Sequence, residues 1–230
     1  MTSNLLIEES LKALEVAPVV EGLRDDKACA LDFTPNNQRL AKVDVADTAV
    51  FEEFVWKEMD AQGATYGTGG YGEWREIYRR SSLFDGTETP RNIHLGVDIW
   101  ASAGLAVYSP IEGKVHSFKN NEGFGNYGGT VVLKHHLPEG YALYSLYGHL
   151  GTGFIQTLES GKQVRAGEKV GDLGGYEENG HWPPHLHFQL MTDLEGNVGD
   201  YPGVCATEDR DHYLSVCPNP NLLLRLSCLN

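Results

Sequence analysis

The spacing of apolar positions divides the chain into a helical first part and a β-rich second part. Residues 3–16 set Leu6, Leu11 and Leu14 among acids, a weakly amphipathic helix that starts near Ser3 and stops before Pro18. A loop follows through Thr34-Pro35-Asn36-Asn37. Between Asp47 and Gln62, Val50, Phe51, Phe54, Val55 and Met59 recur at helical spacing, with Asp47 or Thr48 as N-cap and Gly63 as stop. From Asn92 the pattern changes to short apolar runs between glycine turns: Leu105 to Tyr108, Thr130 to Lys134, Tyr141 to Leu146 and His187 to Leu190. That pattern predicts hairpins of an all-β unit. The change falls near Pro90, so residues 1–90 are read as an N-terminal helical extension packing on a core over 91–192, with a C-terminal tail over 193–230. The tail closes on Asn221-Leu222-Leu223-Leu224-Arg225-Leu226, either a docked element or a stub that continues in a longer protein.

Composition narrows the function classes. The chain has 230 residues, of which 41% are hydrophobic, enough for a sizeable core. Its formal net charge of −14 opposes phosphate backbones and anionic lipid surfaces, which speaks against nucleic acid and membrane as partners. No apolar run approaches the roughly 20 residues of a membrane span, and no basic n-region or cleavage site is visible at the start, so a cytoplasmic location is expected. Cys29, Cys205, Cys217 and Cys228 form no C-x-x-C pair, which excludes a zinc ribbon and fits reduced thiols. Glycine is abundant, and 17 of the 27 glycines lie between Asn92 and Met191, consistent with many tight turns there. Gly67, Gly69 and Gly72 formally satisfy G-x-G-x-x-G, but a helix precedes them where a dinucleotide site needs a strand. The segment from Tyr66 to Gly72 is read as a flexible loop.

The nine histidines are the main chemical resource. Ile93, Leu95, Val97 and Ile99 alternate with His94, Gly96 and Asp98, so a single strand there carries an imidazole and a carboxylate on one face and aliphatic residues on the other. Pro183 and Pro184 exclude a helix before His185, and Leu186 and Phe188 alternate with His185 and His187, so these two imidazoles share a strand face. Paired buried imidazoles are costly unless they meet a cation or hydrogen-bond partners. Two imidazoles and a carboxylate would suit Zn²⁺ with a fourth position left open, the pattern of catalytic zinc. His116, His135, His136, His181 and His212 are expected to be surface or strand-end histidines. Tyr147 is expected to share a face with His149 and to serve packing.

Taken in order, His94-Leu95-Gly96-Val97-Asp98, Gly113-Lys114-Val115, Tyr147-Gly148-His149-Leu150, Gly167-Glu168-Lys169-Val170-Gly171 and Pro184-His185-Leu186-His187-Phe188 resemble the lysostaphin-type zinc metallopeptidases over about 100 residues. The resemblance implies a mainly β fold: an antiparallel β-sheet core of lysostaphin-type peptidase, here with an N-terminal α-helical extension. It implies zinc bound by His94, Asp98 and His187, and places His149 and His185 as the histidines acting on water and the transition state. It further implies hydrolysis of peptide (amide) bonds in peptidoglycan or soluble peptidoglycan-derived peptides. Three stretches depart from the family pattern: Tyr176 to Pro183, the long loop 119–129, and Gln189 where a Glu is common. None removes a ligand, and all bear on substrate. Two other readings compete. One is a cytosolic small-molecule or peptide amide hydrolase of a fused metabolic protein. The other is a non-catalytic lysostaphin-like regulatory module, or a carrier, because the turns at Gly113 and Gly167 are also similar to lipoyl-carrier hairpins. A regulator is expected to have lost zinc ligands, and this chain keeps them.

Overall fold

The computed structural model describes residues 3–85, 89–138 and 140–230. Helix α1 (Ser3–Ala13) buries Ile7 and Leu11 and leaves Leu6 in solvent, so its apolar face is turned by one residue from the expected one. Helix α2 (Thr48–Ala61) begins where Asp47 accepts from the backbone N–H groups of Ala49 and Val50, and it buries Phe51, Val55 and Met59. Four one- or two-turn helices follow: α3 (Ser82–Asp85), α4 (Thr152–Ile155), α5 (Arg210–Val216) and α6 (Asn221–Leu224). Among the described residues no helix is long and apolar enough to cross a membrane.

The strands are β1 (Ala28–Ala30), β2 (Tyr66–Gly69), β3 (Arg91–His94), β4 (Val97–Trp100), β5 (Ala106–Tyr108) and β6 (Gly113–Asn121). They continue as β7 (Gly128–His136), β8 (Ala142–Leu150), β9 (Gln163–Val164), β10 (Lys169–Asp172), β11 (His185–Met191) and β12 (Val204–Ala206). Eight of them form one sheet in the order β1-β2-β4-β11-β8-β7-β6-β9, antiparallel except for the β1–β2 pair. Short pairs β5–β10 and β3–β12 flank it. The fold is therefore mainly β, as expected. The first 90 residues contribute strands as well as helices, since β1 and β2 extend the main sheet along the edge of β4.

Three expectations change. Tyr66 to Gly69 is not a flexible loop but strand β2, fully buried. The loop expected over 119–129 is narrower, confined to residues 122–127, because Lys119–Asn121 end β6 and Gly128 and Gly129 begin β7. And Ile93 to Ile99 is not one strand. It breaks at Leu95-Gly96, so that β3 pairs with β12 while β4 enters the main sheet. Burial explains the break: Ile93 and Leu95 join one apolar cluster with Leu146, Met191 and Tyr201, whereas Val97 and Ile99 join another with Phe188, Tyr147 and Leu11. The chain crosses from one face of the sheet to the other between them.

Two sides of the sheet are thus filled. On one, Leu186, Phe188 and Leu190 of β11 pack with Val131, Leu133, Tyr147 and α1. On the other lie Met191 and Leu146, next to an aromatic cluster of Phe33, Phe51 and Trp100 that joins α2 to β4. α6 buries Leu223, and beside it Arg225 donates to the carbonyls of Lys12 and Leu14, tying the tail to α1. Cys29, Cys205 and Cys217 are buried, and no disulfide forms among the described residues.

His135 was expected near the surface and is instead 1% exposed, bonded through Nδ1 to the Glu112 carbonyl and through Nε2 to Ser145 Oγ. Burial pushes its pKa down to about 4, against the smaller opposing pull of the Glu112 carbonyl. A histidine with a depressed folded-state pKa stabilises fully above its ordinary value of about 6.5 and loses that contribution as pH falls toward the folded value. Between pH 7 and pH 4 this one residue is expected to cost roughly 3 kcal/mol of stability. Urea denaturation at the two pH values should show a smaller drop for His135→Gln than for the unaltered chain.

Candidate metal centre

Strand register brings the sequence-separated groups together. Asp98 on β4 lies directly opposite His187 on β11, and His185 lies opposite Trp100, whose ring stacks on it at 4.1 Å. His94 reaches the same point from the end of β3. His94 Nε2 is 3.0 Å from His187 Nδ1, and Asp98 Oδ1 is 3.0 Å from His187 Nδ1 and 3.3 Å from His94 Nε2. All three residues are buried, and they form the one His/Cys/Asp/Glu cluster of metal-holding spacing among the described residues. Gly96 makes room: a Cβ there would lie 2.7 Å from the His187 ring and 2.8 Å from the Phe188 carbonyl.

The tautomers follow from the acceptors. His94 Nδ1 is 2.9 Å from the Gly70 carbonyl, which can only accept, so Nδ1 carries the proton and Nε2 presents its lone pair inward. His187 Nε2 is 2.9 Å from Gln189 Oε1, and Gln189 Nε2 donates to the Pro202 carbonyl and to Cys217 Sγ. That arrangement fixes the amide, so His187 donates from Nε2 and its Nδ1 lone pair faces inward. Two imidazole lone pairs and a carboxylate oxygen therefore converge with no proton between them. Donors bonded to zinc at about 2.0–2.1 Å in a tetrahedron sit roughly 3.3 Å apart, so this set fits zinc. Burial raises the Asp98 pKa, but the neighbouring His94 and His187 rings and the Arg75 guanidinium outweigh it and hold the carboxyl well below its usual range. Burial and the Arg75 cation bring His94 down to about 4.

Two further imidazoles stand beside the cluster. His185 Nδ1 is 2.8 Å from the Pro183 carbonyl and its Nε2 is 4.0 Å from Asp98 Oδ1. His149 Nδ1 is 2.8 Å from the Asn179 carbonyl, and its ring centroid is 4.2 Å from that of His185. Each is protonated on Nδ1 and offers Nε2. His149 departs from the strand pattern. Alternation would put it with Tyr147, which packs on Phe188 in the core, but its backbone has φ 63°, the left-handed region, and this turns the ring toward His185. Tyr147 and His149 thus do not share a face. Burial lowers both histidines, His185 to about 4 against the opposing pull of Asp98, and His149 well below its ordinary value with help from His185 and His187.

A cavity of about 270 Å³ opens over these groups. Asp98, His149, His185 and His187 line its floor, Tyr78 and Phe84 one wall, and Pro202 to Val204 another. Trp182 and Tyr127 also line it, each with a buried donor, Nε1 and the phenol hydroxyl, that has no partner. The departure at Tyr176 to Pro183 therefore lies at the cavity through Trp182. His181 is exposed and turned away, its carbonyl held by Thr48 and Arg80, while His116, His136 and His212 lie elsewhere. Sequence reasoning missed Arg75, which bonds Asp98 from outside the β core, and missed what Gln189 does. Gln189 fixes the His187 tautomer, a role visible only once its two anchors are in place.

Residues 92–198 match Peptidase family M23. Together with the H-x-x-x-D and H-x-H groups converging on one point, that match decides the assignment. These residues are an M23 peptidase domain. Over 126 residues the chain is 32% identical to the L-Ala--D-Glu endopeptidase of Bacillus subtilis (strain 168), an alignment covering 51% of this chain and 36% of that protein. The chain thus spans about a third of that relative's length. Among solved structures, a zinc-containing peptidase from Vibrio cholerae is 28% identical, covering 43% of this chain and 27% of that one, with a TM-score of 0.34. The catalytic domain of lysostaphin from Staphylococcus simulans is 23% identical, covering 70% and 92%, with a TM-score of 0.43. The M23 segment holds all five candidate site residues, His94, Asp98, His149, His185 and His187, whereas Gly70, Arg75 and Tyr78 precede it and the Pro202 to Val204 wall follows it.

The close approach at Gly96 generates a direct test. Gly96→Ala is expected to displace the His187 ring and reduce bound zinc per chain severalfold, whereas Gly153→Ala, with nothing within 4 Å of the added carbon, should leave it unchanged. Metal analysis after gel filtration reads both.

Proposed function

We propose that this chain is a zinc metalloendopeptidase that hydrolyses peptide (amide) bonds in peptidoglycan or in soluble peptides derived from it. The observation that carries this reading is the convergence of three inward lone pairs, His94 Nε2, His187 Nδ1 and Asp98 Oδ1, beside two neutral imidazoles in an open cavity. His94, Asp98 and His187 would hold the metal. When bound, zinc supplies Lewis acidity toward the scissile carbonyl and the attacking water.

The remaining steps belong to the chain. His149 and His185 each have Nδ1 tied to a carbonyl and Nε2 free toward the cavity, so each can take a proton from water there and return it to the leaving amine nitrogen. Their depressed pKa values keep them neutral, and hence able to accept, at neutral pH. The carbonyl clamps on Nδ1 stop the rings from flipping, which keeps the basic nitrogen aimed at the substrate. Apolar walls at Tyr78, Phe84 and Trp182 exclude bulk water from the reacting bond.

Peptidoglycan-derived peptides are favoured as substrate by the M23 match, and by a relative whose name specifies the L-Ala–D-Glu bond. The acidic balance of the chain favours soluble fragments over a carboxylate-rich wall surface. A mass-spectrometric screen of muropeptides and short peptides with the zinc-loaded protein tests the substrate. His185→Ala is expected to keep zinc and to lose roughly 10²- to 10⁴-fold in turnover, while His94→Ala should lose the metal. Metal-free but active protein after either change would sink the assignment.

A further inference from the structure

We infer that Arg75 is a positioning residue of the metal centre, which engages Oδ2 of Asp98 and so reserves Oδ1 for the metal. This rests on the zinc reading above, and it places part of the centre outside the M23 domain, in the segment between β2 and β3. The Arg75 side chain is wholly buried. Its Nη1 donates to Asp98 Oδ2 at 2.5 Å, its Nε to Glu73 Oε2 at 2.8 Å and its Nη2 to the Gly70 carbonyl at 3.1 Å. Among the described residues it is the one Lys or Arg paired with Asp98.

The contacts divide the carboxylate. Oδ1 faces His94 and His187, and Oδ2 faces the guanidinium, so the carboxylate presents a single oxygen to the space between the imidazoles. A free carboxylate could rotate or offer both oxygens. The planar fork of Arg75, held at Nε by Glu73 and at Nη2 by Gly70, removes that freedom. The Gly70 carbonyl serves twice, because it also accepts from His94 Nδ1 and fixes that ligand's tautomer. One short loop therefore orients two of the three donors.

The sequence is built for this approach. Gly69 pairs with Asp98 in the β2–β4 register, which sets the loop over the carboxylate. A Cβ at Gly69 would lie 2.4 Å from Arg75 Nη2, so a side chain there would evict the guanidinium. Of the glycines that resemble a nucleotide loop, Gly69 thus serves to seat an arginine. Opposite charges alternate from Glu73 through the buried Arg75 to Asp98, so the carboxylate has a cationic neighbour whether or not metal is bound.

The test compares the full-length chain with Arg75→Met, Arg75→Lys and Glu73→Gln. Zinc affinity is measured by competition with a chromophoric chelator, the absorption bands of the cobalt-substituted proteins are recorded, and circular dichroism checks folding. Arg75→Met is expected to weaken zinc binding about 10- to 100-fold, the usual loss for a partner that orients a ligand, and to alter the cobalt bands because Oδ2 is freed toward the metal. Arg75→Lys should recover part of the affinity, since it restores charge without the fork. Glu73→Gln, which keeps the guanidinium and loosens one anchor, should weaken binding severalfold. If Arg75→Met does not fold, Glu73→Gln decides on the same two readouts. A folded variant with unchanged zinc affinity and unchanged cobalt bands would overturn the role of Arg75 while leaving the metal site standing. An unaltered chain that binds no zinc would overturn both.

Discussion

Three lone pairs facing one another across about 3 Å inside a sheet repel unless a positive charge lies between them, and much of the molecule is arranged around that constraint. The β4–β11 register sets Asp98 against His187, and the break at Leu95-Gly96 lets His94 arrive from a different sheet. Each inward lone pair exists because the outer nitrogen of its ring is committed elsewhere, to Gly70 or to Gln189. Those outer partners are themselves held, Gly70 by Arg75 and Gln189 by Pro202 and Cys217. The donor set is thus the innermost layer of a hydrogen-bonded shell that draws on the N-terminal extension, the β core and the C-terminal tail.

The same logic separates the two histidine pairs. His94 and His187 turn their basic nitrogens toward each other, whereas His149 and His185 have theirs free at the cavity. Identical side chains thereby acquire different capacities from where the fold aims the free nitrogen, since His94, His149 and His185 all have Nδ1 on a backbone carbonyl. The left-handed backbone at His149 breaks the alternation of β8 beside the site, and it does so where the cavity gains a second imidazole. Trp182, which stands within 6 Å of both His149 and His185, closes that side and is anchored through a loop that Arg80 and Thr48 hold by the His181 carbonyl.

Much of this was legible in the residues. The apolar period of α2, the hairpins after Asn92 and the H-x-H strand face all follow from local spacing, and four of the five candidate site residues lie in two short motifs, with His149 supplied by the family resemblance. What misled was also local. A perfect alternation from Ile93 to Ile99 reads as one strand, yet its four aliphatic residues belong to two different cores. His135 reads as a strand-end residue, yet it is sealed under the Glu112 carbonyl and Ser145. Glycines at 67, 69 and 72 suggest a mobile loop, yet two of them lie in a strand against which other side chains pack closely.

By itself the sequence determined which side chains could bind a metal and which elements would carry them, because periodicity and ligand chemistry are properties of near neighbours along the chain. Only the tertiary structure decided which nitrogen of each imidazole faces inward, that Arg75 and Gly70 complete the centre from outside the M23 domain, and that the walls over it come from both ends of the chain. Most of these depend on contacts between residues distant in the chain, and even the near pairs His187–Gln189 and His185–Pro183 take their geometry from the fold around them, so the acceptor has no sequence signature until the fold places it beside its donor.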